Sequence, residues 1–220
     1  MIKISHAVEK IVESSEIARS ALAGGYLNLN AFARTISKDV ERTTKKPVKI
    51  GSIVAALSRL SRTLKKGAPL LPDVTIDTLS VRSGLAELVF NKTPDNLATL
   101  RRLYQDARLR TADFLAVSQG TGEITIVAVE QAIAPIRILF GRQKPKVFIT
   151  GLSGLTVRFA DEYINMPNVF YSLLRNLAMK RINIIEMVST YTELTFVMKD
   201  RDLELAFRTI NDAFKRKGEL

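Results

Sequence analysis

Arg59 and Arg62 lie three residues apart on a segment whose apolar positions, Ile50, Ile53, Val54, Leu57, Leu60 and Leu64, recur at helical spacing. That spacing puts both guanidinium groups on the face opposite the apolar one, together with Ser52, Ala56, Thr63 and Lys66. Arginines on an exposed helix can pair with guanine edges in a major groove. Lys45, Lys46, Lys49, Lys65 and Lys66 stand near the two ends of the segment, where phosphates would lie. Ser52, Ala55 and Ala56 are small enough near its start to let base edges approach. The expected contacts are therefore Ser52, Arg59 and Arg62 to bases and the five lysines to phosphates of double-stranded DNA.

Other chemistry finds little footing. There is no cysteine, so disulfides and thiolate metal sites are excluded, and one histidine, His6, stands alone between apolar positions of a helix. Asp161-Glu162 follows a strand, and Asp200, Asp202 and Glu204 open a helix, where acids favour the dipole. Gly151-Leu152-Ser153-Gly154 lacks the further glycine and lysine of a phosphate-binding loop. No enzyme, metal or cofactor is expected.

The charge separates the chain into parts. Of its 220 residues, 46% are hydrophobic and 25% charged, ordinary globular proportions, with a net charge of +11. Residues 1–66 hold 13 Lys and Arg against 5 Asp and Glu, a net of +8, and the rest is nearly balanced at 20 against 17. A basic module that meets a polyanion, joined to a module with another task, fits that split. The first residues lack the apolar core of a signal peptide, and Ile124 to Phe140 is interrupted by Glu130, Gln131, Pro135 and Arg137. A cytoplasmic protein away from the membrane is expected.

Residues 1–66 read as three helices. The first carries Ile4, Val8, Ile11, Val12, Ala18 and Leu22 and ends at Gly24-Gly25; the second, capped by Asn28 or Asn30, carries Leu29, Phe32, Ala33, Ile36 and Val40. The third is the arginine-bearing segment, closed by Gly67 and Pro69. Three short helices of this kind resemble a helix-turn-helix DNA-binding domain, although the connector from Thr43 to Lys49 is longer than that motif's turn and contains Pro47. A helical dimerisation or docking domain with a solvated basic face is the alternative. Residues 67–73 read as a linker.

From residue 74 strands alternate with helices, and the pattern occurs twice at an offset of about 73 residues. Leu79-Ser80 falls over Leu152-Ser153, Pro94 over Pro167, and Leu97 over Phe170. The units are placed at 74–143 and 144–220. Gly120-Thr121-Gly122 is a hairpin turn between Leu115–Ser118 and Ile124–Val129. Pro167 should open a helix buried through Val169, Phe170, Leu173, Leu174 and Leu177. Asp202 to Lys215 should form another, with Leu203, Leu205, Ala206, Ile210 and Phe214 inward. The fold class expected is α+β: a helical N-terminal domain followed by two ferredoxin-like βαββαβ units.

Residues 165–214, NMPNVFYSLLRNLAMKRINIIEMVSTYTELTFVMKDRDLELAFRTINDAF, resemble the ACT domains at the regulatory end of aspartate kinases. The carrying elements are the Pro at the first helix, the INIIEM strand start, Ser189-Thr190 at that strand's end, and ELTFVM. The resemblance implies an amino-acid sensor whose sheets join side by side in a dimer or higher oligomer. It implies a ligand held where the loop before the first helix meets a neighbouring module. The matching positions are Asn165, Met166, Pro167, Asn168, Val169 and Phe170, opposed by Ile185, Glu186, Met187 and Ser189, with Glu186 toward a ligand ammonium. The family commonly has Gly directly after the Pro, where Asn168 stands, and Asp95-Asn96 occupy that region of the first unit. Units that only dimerise are the alternative. No stretch resembles the family's kinase domain. The expectation is an amino-acid-responsive transcriptional regulator, with a regulatory subunit or adaptor of a biosynthetic enzyme, lacking DNA binding, as the other reading.

Overall fold

Ser14 and Ser15 break the first helix that the apolar periodicity runs through. Ser14 Oγ donates to the Ile11 carbonyl at 2.8 Å, and Ser15 Oγ accepts the Ala18 N–H at 3.2 Å, so one serine ends a helix and the next caps another. In the computed structural model, which describes residues 2–66, 71–106, 109 and 112–216, the N-terminal segment therefore holds four helices rather than three. They are α1 (Ile4–Glu13), α2 (Glu16–Gly24), α3 (Leu29–Thr44) and α4 (Ile50–Lys66). Asn28 caps α3 through the Ala31 N–H at 3.0 Å. The expected stop of α4 at Gly67 and Pro69 lies outside the described residues.

The chain divides into two compact units, Met1–Leu70 and Leu71–Leu220. In the first, Ala7, Val8, Val12, Leu22, Ala33, Ile36, Val40, Ile53, Ala56 and Leu57 form one core. Ala56 belongs to that core rather than to the arginine face, because it shares the inner side of α4 with Ile53. Ser61 Oγ ties α4 to α2 through the Leu22 carbonyl at 3.0 Å.

In the second unit a seven-stranded sheet follows the order β2-β3-β1-β4-β6-β5. Its strands are β1 (Thr75–Asn91), β2 (Leu115–Gln119), β3 (Glu123–Val129), β4 (Val147–Phe159), β5 (Glu186–Ser189), β6 (Glu193–Lys199) and a short β7 (Lys215–Arg216) beside the start of β1. The helices are α5 (Pro94–Gln105), α6 (Glu130–Phe140), α7 (Val169–Met179) and α8 (Asp200–Ala213). Ferredoxin-like halves are present, and they interlock. The end of β1 pairs with β3 over Leu85–Asn91 and with the start of β4, while the end of β4 pairs with β6 over Leu152–Arg158 and with the start of β1. Each long strand thus serves both halves.

Glycine makes this possible. Gly84 and Gly151 have φ of +69° and +66°, beside register shifts in the β1–β4 pair, so each long strand bends where it passes from one half to the other. Alternation sends Ala86, Leu88 and Phe90 to the core of the first half, whereas Leu155, Phe196 and Met198 join that of the second. On the reverse face Leu85, Val127, Leu152 and Val197 make a small cluster of their own.

Glu87 shares the phase of Leu85 and is 6% exposed, with Oε2 lacking a hydrogen-bond partner. Burial, and then the neighbouring Glu186 carboxylate, push its carboxyl above the usual range. The folded state therefore holds this proton to higher pH than the unfolded chain. Stability is full below the ordinary carboxyl range and falls as pH rises through the raised value. Glu87→Gln is expected to remove that descent and to be the more stable protein at about pH 8. Scanning calorimetry from about pH 4 to pH 8 checks this; parallel curves for the two proteins would contradict it.

Candidate functional site

The loop before α7 is built from a turn that begins where β4 ends. A 3-10 turn at Asp161–Tyr163 carries the chain away from the sheet, and Tyr163 is fixed there, 7% exposed, its hydroxyl accepting the Thr75 N–H at 3.0 Å. Pro167 does not open the helix. Asn168 adopts a left-handed φ of +68° and α7 starts at Val169, so the proline sits two residues ahead of it. That conformation explains the residue type: glycine is at ease with positive φ, and asparagine tolerates it better than most. Asn168 supplies no side-chain cap to α7.

Around this helix start is a concavity of about 350 Å³. Met166, Asn168, Val169 and Phe170 line it, four of the residues expected from the sequence. Tyr163, Ile164, Tyr171 and Tyr191 complete it. Asn165 and Pro167 are exposed neighbours in the same loop but not part of the lining. Phe170, expected in the core, is 44% exposed, its ring tilted on Phe159 at 6.1 Å. Ser172 replaces it in the inner face of α7, beside Val169, Leu173 and Leu177. Leu205 of α8 is likewise 46% exposed rather than inward.

Ile185, Glu186, Met187 and Ser189 do not join this concavity within the chain. Met187 pairs with Phe196 and shares its face of the sheet, whereas Glu186 pairs with Val197 and lies on the reverse face near Glu87. The strand's period of two separates adjacent residues in this way. No sequence spacing could have pointed to Tyr191, which belongs to the turn between β5 and β6, or to Tyr163, whose role comes from its bond to β1.

The corresponding position of the first half bonds to its own chain. Thr93 caps α5 through the Asn96 N–H at 3.2 Å, and Asn96, 6% exposed, donates from Nδ2 to the Asn91 carbonyl at 2.8 Å. A more polar hollow of about 420 Å³ lies beside the Gly120–Glu123 hairpin, where Lys146 and Glu123 are paired.

In the N-terminal unit, Ser52, Ala55, Arg59 and Arg62 form one exposed line along α4. Lys45, Lys46 and Lys49 are exposed in the connector, whose Val48 N–H donates to Glu41 Oε1 at 2.9 Å. The side chains of Lys65 and Lys66 lie outside the described part. Arg34, Lys38 and Arg42, spaced four residues apart, add a second exposed basic line on α3 that charge counting alone does not single out. Arg42 is partly offset by Asp39 at 3.1 Å. Among the described residues there is no group of three metal-ligating side chains, and no helix is long and apolar enough to cross a membrane.

No family model and no curated protein matches the sequence. Solved structures do match the fold. The aspartate kinase of Clostridium acetobutylicum aligns over 67% of this chain and 37% of its own, with a TM-score of 0.55 and 11% identity. The regulatory subunit of aspartate kinase from Thermus thermophilus aligns over 66% of this chain and 100% of its own, at a TM-score of 0.52 and 11% identity. The Thermus flavus regulatory subunit gives 64%, 99%, 0.52 and 10%. The chain spans little more than a third of the Clostridium enzyme and 99–100% of the Thermus subunits. The fold of an aspartate kinase's regulatory part is thus the fold of the strand-rich unit here.

Proposed function

We propose that the strand-rich unit is a non-catalytic regulatory module that senses a free amino acid, and that the chain acts as a regulatory subunit or adaptor of an enzyme. The concavity at the start of α7 carries this reading, in a fold otherwise seen in regulatory subunits of aspartate kinase. Met166, Asn168, Val169 and Phe170 hold the ligand, with Asn165 and Pro167 shaping the loop. Met187 and Ser189, which share the face of the sheet opposite to Glu186, reach it from a second copy, since β5 is the last strand in the order and a second copy can pair along it. A ligand that prefers one arrangement of the two copies biases that arrangement by its differential affinity.

Thermal-shift screening against the common amino acids tests the reading, because a ligand binding only the folded protein raises its melting point, by about 2.7 kcal/mol of added stability at a hundredfold excess over Kd. At least one amino acid is expected to do so, with light scattering giving twice the chain mass. A flat screen would remove the sensing role.

A second reading, transcriptional regulation through DNA, draws on the N-terminal unit. Its net charge of +8 and the exposed, acid-free line of Ser52, Arg59 and Arg62 favour it. Duplex affinity that falls steeply with salt is required; absent or salt-insensitive binding would dispose of it.

A further inference from the structure

We infer that the amino acid taken by the concavity before α7 has an uncharged, apolar side chain, aromatic or branched aliphatic. This rests on the sensing role proposed above and adds which members of the class are bound. The walls are mainly Tyr163, Met166, Val169, Phe170, Tyr171 and Tyr191, with Ile164 and the amide of Asn168 beside them, and among the described residues no Lys, Arg, Asp or Glu lines the space. A ligand side chain bearing ammonium or carboxylate that packs on these walls gives up water without meeting an opposite charge, whereas the α-ammonium and α-carboxylate common to all amino acids keep water at the open mouth. Aromatic faces do attract cations, yet a lysine ammonium is compact and strongly hydrated, and exposed rings return little of what its dehydration costs.

An apolar side chain meets the opposite situation. Val169 and Tyr163, 4% and 7% exposed, give a floor already excluded from water. Phe170, Tyr171, Met166 and Tyr191 stand at the rim with 44%, 41%, 38% and 70% of their surface open, so a ligand removes apolar area on both sides of the contact. The Phe170 ring already leans on Phe159 at an interplanar angle of 57°, and a ligand ring can continue that tilted stack. A volume of about 350 Å³ is at the small end for ligand sites, suited to a single amino acid rather than a nucleotide.

Calorimetric titration of the full chain with L-phenylalanine, L-leucine, L-lysine and L-aspartate tests this. L-Phenylalanine or L-leucine is expected to bind at least about tenfold more tightly than the two charged amino acids. Tyr191→Ala, at an exposed turn position that leaves the cores intact, should weaken that binding by about tenfold. Equal or tighter binding of L-lysine or L-aspartate would overturn the side-chain rule and leave amino-acid sensing standing. Unchanged affinity in Tyr191→Ala would put the ligand elsewhere and overturn the inference too. Silence with all four amino acids at millimolar concentration would overturn this inference, and the sensing role falls with it only where the wider thermal-shift screen is flat as well.

Discussion

Phe196→Ala is expected to destabilise the strand-rich unit by about 3–5 kcal/mol. Phe196 is fully buried at the middle of β6, opposite Leu155 on β4 and Met187 on β5. It belongs to the same cluster as Phe159, Tyr163, Val169 and Leu173. Truncation removes its transfer energy and leaves a cavity that two paired neighbouring strands limit in its collapse. The same void lies beneath the residues that position the ligand loop, so amino-acid affinity is expected to fall with stability. Urea unfolding of the variant measures the first effect. A loss below about 1 kcal/mol would mean that the cluster is not packed as described.

On the DNA-binding reading, Arg59→Ala combined with Arg62→Ala is expected to abolish sequence discrimination. Each arginine that pairs with a guanine edge contributes about 1–3 kcal/mol of discrimination, so the pair together is worth about 30-fold or more. Both side chains are exposed and outside the core of that unit, so the variant should keep its helical content. Fluorescence polarisation with specific and scrambled duplexes at several salt concentrations separates the cases. A preference unchanged by the double substitution would exclude α4 as the reading helix. Retained binding with a shallower salt dependence would place these arginines on phosphates instead.

Much of the fold was legible in the sequence. The apolar spacing of α4, the Gly120-Thr121-Gly122 turn and the duplicated strand–helix pattern each follow from local periodicity or turn chemistry, and each is present. What was not legible depends on contacts between distant residues. Two serines outweigh a continuous apolar stripe and divide the first helix at Ser14-Ser15. Gly84 and Gly151 let two long strands cross from one half to the other, which a repeat offset cannot reveal.

The candidate site shows the same division. Met166, Asn168, Val169 and Phe170 were readable because they are consecutive or nearly so. Tyr163 and Tyr191 come to them through β4 and the β5–β6 turn. Glu186, adjacent to Met187 in sequence, is carried to the reverse face by one residue of strand alternation. The charge split marks the basic unit, whereas the exposed line of Arg34, Lys38 and Arg42 emerges only once α3 is seen to bury Ala33, Ile36 and Val40 on its other side.

The most direct test of ligand sensing before α7 is a ¹H–¹⁵N chemical-shift titration with the amino acid that most raises the melting point. The largest shifts are expected on the amides of Val169, Phe170, Tyr171 and Tyr191. Shifts confined to residues 1–66 or to the reverse face around Glu87, with those four amides unmoved, would contradict sensing at that site.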